Sequence, residues 1–120
     1  MKIAFVASEI TPFAKTGGLA DVAAALPRAL HQRGHELRVF MPLYASIQHS
    51  SFERHPVLHL QHIPLRLGTD QYEFSVLRTL LPDSTLDIYL IDCPRLFARE
   101  AIYTTDADEH RRFILLQRAA

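Results

Sequence analysis

The sequence predicts an α/β fold: a mostly parallel sheet with a hairpin insertion. Three observations predict it. "KIAFVA", from Lys2 to Ala7, is a short unbroken apolar run rich in strand formers, which suits a parallel strand covered on both faces. From Leu19 onward, apolar side chains recur at the three-and-four spacing of a helical stripe. "ELRVFMPLY", from Glu36 to Tyr44, supplies a second strand that Pro42 ends, and strand–helix–strand units of this kind are right-handed in nearly all folds.

In chain order, the first strand gives way to a loop from Ser8 to Gly18 that carries Pro12 and the adjacent Gly17 and Gly18. In the helix that follows, Leu19, Val22, Ala23, Leu26 and Leu30 are expected inward, and Gly34 is expected to close it in the left-handed conformation. Pro27 falls inside this helix. An interior proline removes a backbone hydrogen bond at a cost of roughly 3 kcal/mol, which predicts a kink or a second segment restarting there. "VLHLQHIPLRL", "QYEFSVLRTLL" and "LDIYLID" predict three more strands, the first two joined through "GTD" as a hairpin and the last reached through "PDST". The stretch from Asp108 to Ala120 predicts a helix with Phe113, Leu116 and Leu115 inward, opened by Asp108 and Glu109, whose charges suit a helix N-terminus. Its pattern stops at "LLQRAA" without glycine, proline or cap, so more chain is expected to follow.

Composition narrows the classes. A chain of 120 residues is the size of one domain and buries somewhat over ~60% of its unfolded surface. Hydrophobic residues at 48% and charged residues at 22% fit a soluble globular protein, and neither disorder nor a fibre. Thirteen basic and thirteen acidic side chains balance without a long run of one sign, which argues against a nucleic-acid partner or an anionic membrane surface. The lone Cys93 forms no internal disulfide, Met1 and Lys2 lead directly into a strand-like run rather than a signal peptide, and no apolar run reaches the ~18 residues of a membrane span. The expected setting is cytoplasmic.

The chemistry concentrates in "KTGGLADV". A glycine-rich turn between a strand's end and a helix's start exposes backbone N–H groups beside the positive end of the helix dipole, an arrangement suited to phosphate. Glycines admit a bulky anion to the main chain, and Lys15 adds a cation on a long stem. Neither the dinucleotide fingerprint nor the Walker pattern fits, because the lysine precedes the glycines. The alternative is a tight turn made for helix-to-sheet packing, with Lys15 solvated.

Together with "VASEITPFA", "ALPRAL…GHELRVFMPLY", "YLIDCPRLFAREAIY" and "RRFILLQRAA", this block resembles the N-terminal part of the bacterial glycogen synthase and plant starch synthase family. The blocks follow the family's order along most of the chain, while Ser46 to Leu86 matches loosely. The resemblance implies that residues 1–120 form an incomplete, Rossmann-like N-terminal domain of a GT-B glycosyltransferase. The rest of that domain and the whole C-terminal domain lie outside the chain. It also implies transfer of glucose from ADP-glucose to the non-reducing end of an α-1,4-glucan with retention. Half of the cleft is expected to be inactive by itself, since both domains position the donor phosphates and the sugars.

By the same resemblance, Lys15 and Gly18 are donor-binding residues with Gly17 as their conformational partner. Asp21 carries over as a ligand for sugar hydroxyls, with complementation of the helix dipole as the alternative. Glu9, just past the first strand, is expected either to accept bonds from sugar hydroxyls or to hold the loop. Tyr103 occupies the position of a family tyrosine near the sugar, with plain packing as its alternative. No catalytic residue, cofactor or metal site is assigned. His59 and His62 stand three apart in a predicted strand and so face opposite sides, Gly34 separates His31 from His35, and Cys93 reads as a packed thiol. Two other functions remain open: a non-catalytic module binding nucleotide sugar or glucan, and a transferase using another nucleotide sugar.

Overall fold

A computed structural model describes residues 1–99 and 101–120; Glu100, within one of the quoted blocks, lies outside the described residues. In chain order the elements are β1 (Lys2–Val6), α1 (Gly18–Gln32), β2 (Glu36–Pro42), α2 (Ala45–Gln48), β3 (His55–Pro56), β4 (Ile63–Leu67), β5 (Asp70–Leu80), β6 (Asp87–Asp92), α3 (Pro94–Phe97) and α4 (Glu109–Ala119). The sheet runs β1-β2-β6-β5-β3, with β4 on the first half of β5. β1, β2 and β6 are parallel, and β5 turns back antiparallel to β6. The expected α/β architecture with its hairpin is present.

Local sequence explains the punctuation. After α1, Gly34 takes φ 88°; its N–H reaches the His31 carbonyl and the His35 N–H reaches the Leu30 carbonyl, the paired bonds of a Schellman motif. Gly68 takes φ 62° at the head of the two-residue turn joining β4 to β5, a position where a side chain would be strained.

Four expectations are corrected. β4 begins at Ile63 rather than Val57, because Gln61 and its neighbours turn the chain: the Gln61 side-chain amide bridges the carbonyls of Val57 and Val76, and His62 has φ 56°. His59 and His62 therefore lie outside any strand. α1 does not restart at Pro27 but runs through it, with the proline ring buried. The buried face of α1 is Ala20, Ala23, Ala24 and Pro27, while Leu19, Val22 and Leu26 are exposed. Small residues let the helix lie close to the sheet, and the leucines on the adjoining stripe point away. Finally, β1 is an edge strand, with Lys2, Ala4 and Val6 exposed and Ile3 and Phe5 half-buried, rather than a strand covered on both faces. Among the described residues, no strand pairs with its outer edge.

The core sits between β2, β5 and β6 and the segments crossing them, with Val39, Met41, Ile88, Leu90, Ile91, Leu96 and Leu115 among its inaccessible side chains. Among the described residues, no helix is long and apolar enough to cross a membrane.

Candidate functional site

The carboxyl ends of β1, β2 and β6 share one edge, and the Ser8–Gly18 loop lies there, leading from β1 into α1. Ligands of open α/β sheets bind beyond this edge.

Two clusters of polar side chains organise the loop. In the first, the Glu9 carboxylate is 1% exposed and accepts from the Thr16 hydroxyl at 2.6 Å, the Tyr103 hydroxyl at 2.9 Å, and the N–H groups of Gly17 and Thr16 at 3.3 and 3.4 Å. Burial pushes this carboxyl up. The hydrogen bonds from Thr16, Tyr103 and Gly17 outweigh that effect and hold it below the usual carboxylate range. Ser8 lies 2.7 Å from the Tyr103 hydroxyl, while the buried Tyr44 hydroxyl donates to the Ser8 carbonyl at 2.6 Å. Residues far apart in sequence thus converge on the end of β1.

In the second cluster, Lys15 Nζ contacts both oxygens of Asp21, at 3.0 and 2.8 Å, and the Thr11 hydroxyl donates to Asp21 at 2.8 Å. Hydrogen bonds from Lys15 and Thr11 lower the Asp21 pKa. Both partners of the ion pair are about half exposed, 51% and 54%, and such a pair is weak in water. Lys15 is therefore held only loosely by Asp21.

The glycines are the least constrained part. Gly17 is extended at φ −167°, and neither it nor Gly18 has a positive φ. A Cβ added to either would meet nothing within 4 Å. The chain itself gives no steric reason for glycine at these two positions. No side chain caps α1, and the first-turn amides of Gly18 and Leu19 have no intrahelical acceptor, as at any helix start.

The structure therefore gathers Gly17, Thr16 and Tyr103 on the Glu9 carboxylate, and pairs Lys15 with Asp21 beside them. Sequence reasoning missed Thr11, Thr16, Tyr44 and Ser8, whose hydroxyls carry the contacts; Thr16 inside "KTGG" and Ser8 beside Glu9 were the available signals. It also missed Asp92, which ends β6 at the same edge with its Oδ1 buried and without a partner among the described residues. Burial pushes the Asp92 carboxyl up, and the Arg54 charge partly opposes this. Cys93 is inaccessible and its thiol is pushed up by burial, as befits a packed side chain. A groove lined by Val6, Ala7, Ser8, Tyr103, Phe113 and Leu116 opens beside the network. A larger depression, at Phe52, His55, Arg78 and Asp87, contains no residue of the Ser8–Gly18 loop and lies at the other end of β6.

Parallel strands, a glycine loop at their carboxyl edge and a helix starting from that loop define the class: a Rossmann-like α/β domain with its loop at the edge where such sheets bind ligands. Residues 2–120 match the starch synthase catalytic domain family, and the chain belongs to it. It is 38% identical over 109 residues to a glycogen synthase of Trichodesmium erythraeum, covering 90% of this chain and 22% of that protein. It is 38% identical over 124 residues to glycogen synthase 1 of Geobacter sulfurreducens, covering 100% of this chain and 25% of that protein. Among solved structures it resembles the catalytic domain of starch synthase IV from Arabidopsis thaliana bound to ADP and acarbose, with a TM-score of 0.77 and 25% identity over 96% of this chain and 25% of that one. The chain thus spans about a quarter of the length of these relatives.

Proposed function

We propose that this chain forms the N-terminal wall of the donor site in an ADP-glucose-dependent α-1,4-glucan synthase that transfers glucose to the non-reducing end with retention. The observation that carries this reading is the glycine pair. Neither glycine has a positive φ and both Cβ positions are empty, so the fold sets no steric need for glycine there and the pair leaves the backbone open to a ligand's approach. A nucleotide sugar's phosphates fit the place, since they would meet the free first-turn amides, the positive end of α1 and Lys15. The match to glycogen synthases, and the ADP and acarbose bound to the Arabidopsis relative, support the same ligands here.

In this reading Lys15 leaves Asp21 for the donor phosphates, and Gly17 and Gly18 let the phosphates approach. Asp21 acts first as the resting counter-ion of Lys15. Glu9 shapes the loop, because its acceptor positions are taken within the chain. Tyr103 offers its exposed ring edge to the sugar while its hydroxyl holds Glu9. Residues 1–120 supply no group assigned to bond-making, so transfer depends on a facing domain that neutralises the phosphates and orients both sugars.

The test is titration with ADP-glucose, with UDP- and GDP-glucose as competitors, for the wild type, Lys15→Ala and Gly18→Ala in a protein carrying this domain opposite a C-terminal domain. Both variants should bind ADP-glucose at least tenfold more weakly. Wild-type affinity in both would falsify the donor-site reading.

A further inference from the structure

We propose that Arg112 is a positioning residue for the Lys15–Gly18 loop, acting through Tyr103 on Glu9. Its functional meaning rests on the donor-site reading; its geometry does not.

Arg112 lies on α4 and is completely buried, 0% exposed. Its guanidinium donates through Nε to the Leu96 carbonyl at 2.7 Å, through Nη1 to the Ile102 carbonyl at 2.8 Å, and through Nη2 to the Ala101 carbonyl at 3.4 Å. Its counter-charge is Glu109, one helical turn earlier, at 3.0 Å. Glu109 in turn accepts from the Thr104 N–H at 3.0 Å and from the Thr104 hydroxyl. The carbonyl before Tyr103 and the amide after it are thus both held by one ion pair on α4. Phe113, next to Arg112, sets its ring 5.7 Å from that of Tyr103.

This clamp matters because the described residues between α3 and α4 form no helix or strand, yet the Tyr103 hydroxyl has to reach Ser8 and Glu9, far away in the sequence. Ser8 donates to the Tyr103 oxygen, Tyr103 donates to Glu9, and Glu9 gathers the N–H groups of Thr16 and Gly17. The relay runs from Arg112 to the Ile102 carbonyl, Tyr103, Glu9 and the glycine loop. A second contact reinforces it: the guanidinium carbon lies 5.7 Å from the centre of the Tyr44 ring, whose hydroxyl holds the Ser8 carbonyl.

Packing alone does not call for this residue. A buried ion pair is often replaced by apolar side chains without loss of stability, whereas the planar fork does here what no apolar side chain does, joining three carbonyls in fixed directions. Lysine has neither the planarity nor the donor count, which makes Arg112→Lys the informative change.

The relay is tested without ligand in the 120-residue chain, by NMR hydrogen exchange at the Thr16 and Gly17 amides and by the carboxyl titration of Glu9. The proteins compared are the wild type, Arg112→Lys, Tyr103→Phe and the double variant. Either single change should speed exchange at both amides severalfold and move the Glu9 titration toward the ordinary carboxylate range, with the amides of β6 unaffected. The double variant should match the single ones, because both changes cut one relay. Additive effects, or an Arg112→Lys protein with a wild-type loop, would overturn the proposal. Should Arg112→Lys fail to fold, Tyr103→Phe still decides, because it removes one hydroxyl from a half-exposed ring: an unaltered loop in that variant overturns the relay, and a loosened one supports it. The donor-site reading fails separately, on the ADP-glucose affinity of Lys15→Ala.

Discussion

Glu9 and Asp92 stand at the same edge of the sheet and have been driven in opposite directions. Glu9 is inaccessible but collects four hydrogen bonds, so its charged form is favoured in the fold. Its folded pKa is depressed, so the stability it contributes is present above its unfolded value and is lost as pH falls through the folded one. Replacing it with alanine strands two amides and two hydroxyls and should cost roughly 2–3 kcal/mol, whereas Glu9→Gln keeps an acceptor for the amides and should cost less; denaturant unfolding at pH 7 checks both. Asp92 has an oxygen without a partner among the described residues and a raised pKa, so its charged form weakens the fold above the folded pKa, and protonation relieves the penalty. Asp92→Asn is expected to raise the melting temperature at pH 7 by a few degrees, the scale on which about 1 kcal/mol shifts a domain of this size, with the gain gone below the carboxylate range. A thermal scan showing Asp92→Asn less stable at neutral pH would contradict this account.

Among the elements, α1 separates what a pattern says from what packing does. Its extent was legible, from the glycine pair at its start to Gly34 at its end, because capping is chemistry local to the chain. Its buried face was not. The leucine and valine stripe and the alanine face lie side by side on one helix, and only the sheet beneath decides which is covered. Leu19→Lys should therefore change the stability of this chain by no more than about 0.5 kcal/mol, and Ala23→Leu should destabilise it by about 1–3 kcal/mol through overpacking. Gly18→Ala offers a sharper contrast. Since the φ is not positive and the space is open, alanine at the start of α1 should stabilise the ligand-free chain by about 0.4–1 kcal/mol while weakening ADP-glucose binding. Chemical denaturation and ligand titration on the same protein check the two halves; a loss of stability would show that the glycine serves the fold.

For the whole molecule, β6 is the hinge between the parallel and antiparallel halves, pairing β2 on one side and β5 on the other. Leu90, inaccessible at its centre, is expected to cost about 2–5 kcal/mol as Leu90→Ala, enough to unfold much of a marginal domain. At the same scale, β1 carries an open edge and α1 an exposed apolar stripe. In an assay with ADP-glucose and glycogen, the isolated chain should show no glucosyl transfer, because one wall of a cleft neither neutralises the donor phosphates nor orients the acceptor. Measurable turnover would mean that the 120 residues hold a complete site.

The sequence by itself determined the class of the fold, the strand–helix–strand opening, the hairpin through Gly68, the end of α1 at Gly34 and the family, because periodicity, turn glycines and a specific loop motif are all written locally. It also picked out Lys15, Gly17, Gly18, Asp21, Glu9 and Tyr103 as the residues to inspect. Only the tertiary structure decided what they do to one another: Glu9 gathers the loop amides, Asp21 pairs with Lys15, and the Tyr103 hydroxyl donates to Glu9. Those contacts join residues as far as 94 positions apart, and a hydrogen bond at such separation leaves no periodic trace in the chain. The two glycines needed both readings, since the motif singled them out and the empty space around them showed that the fold does not require them.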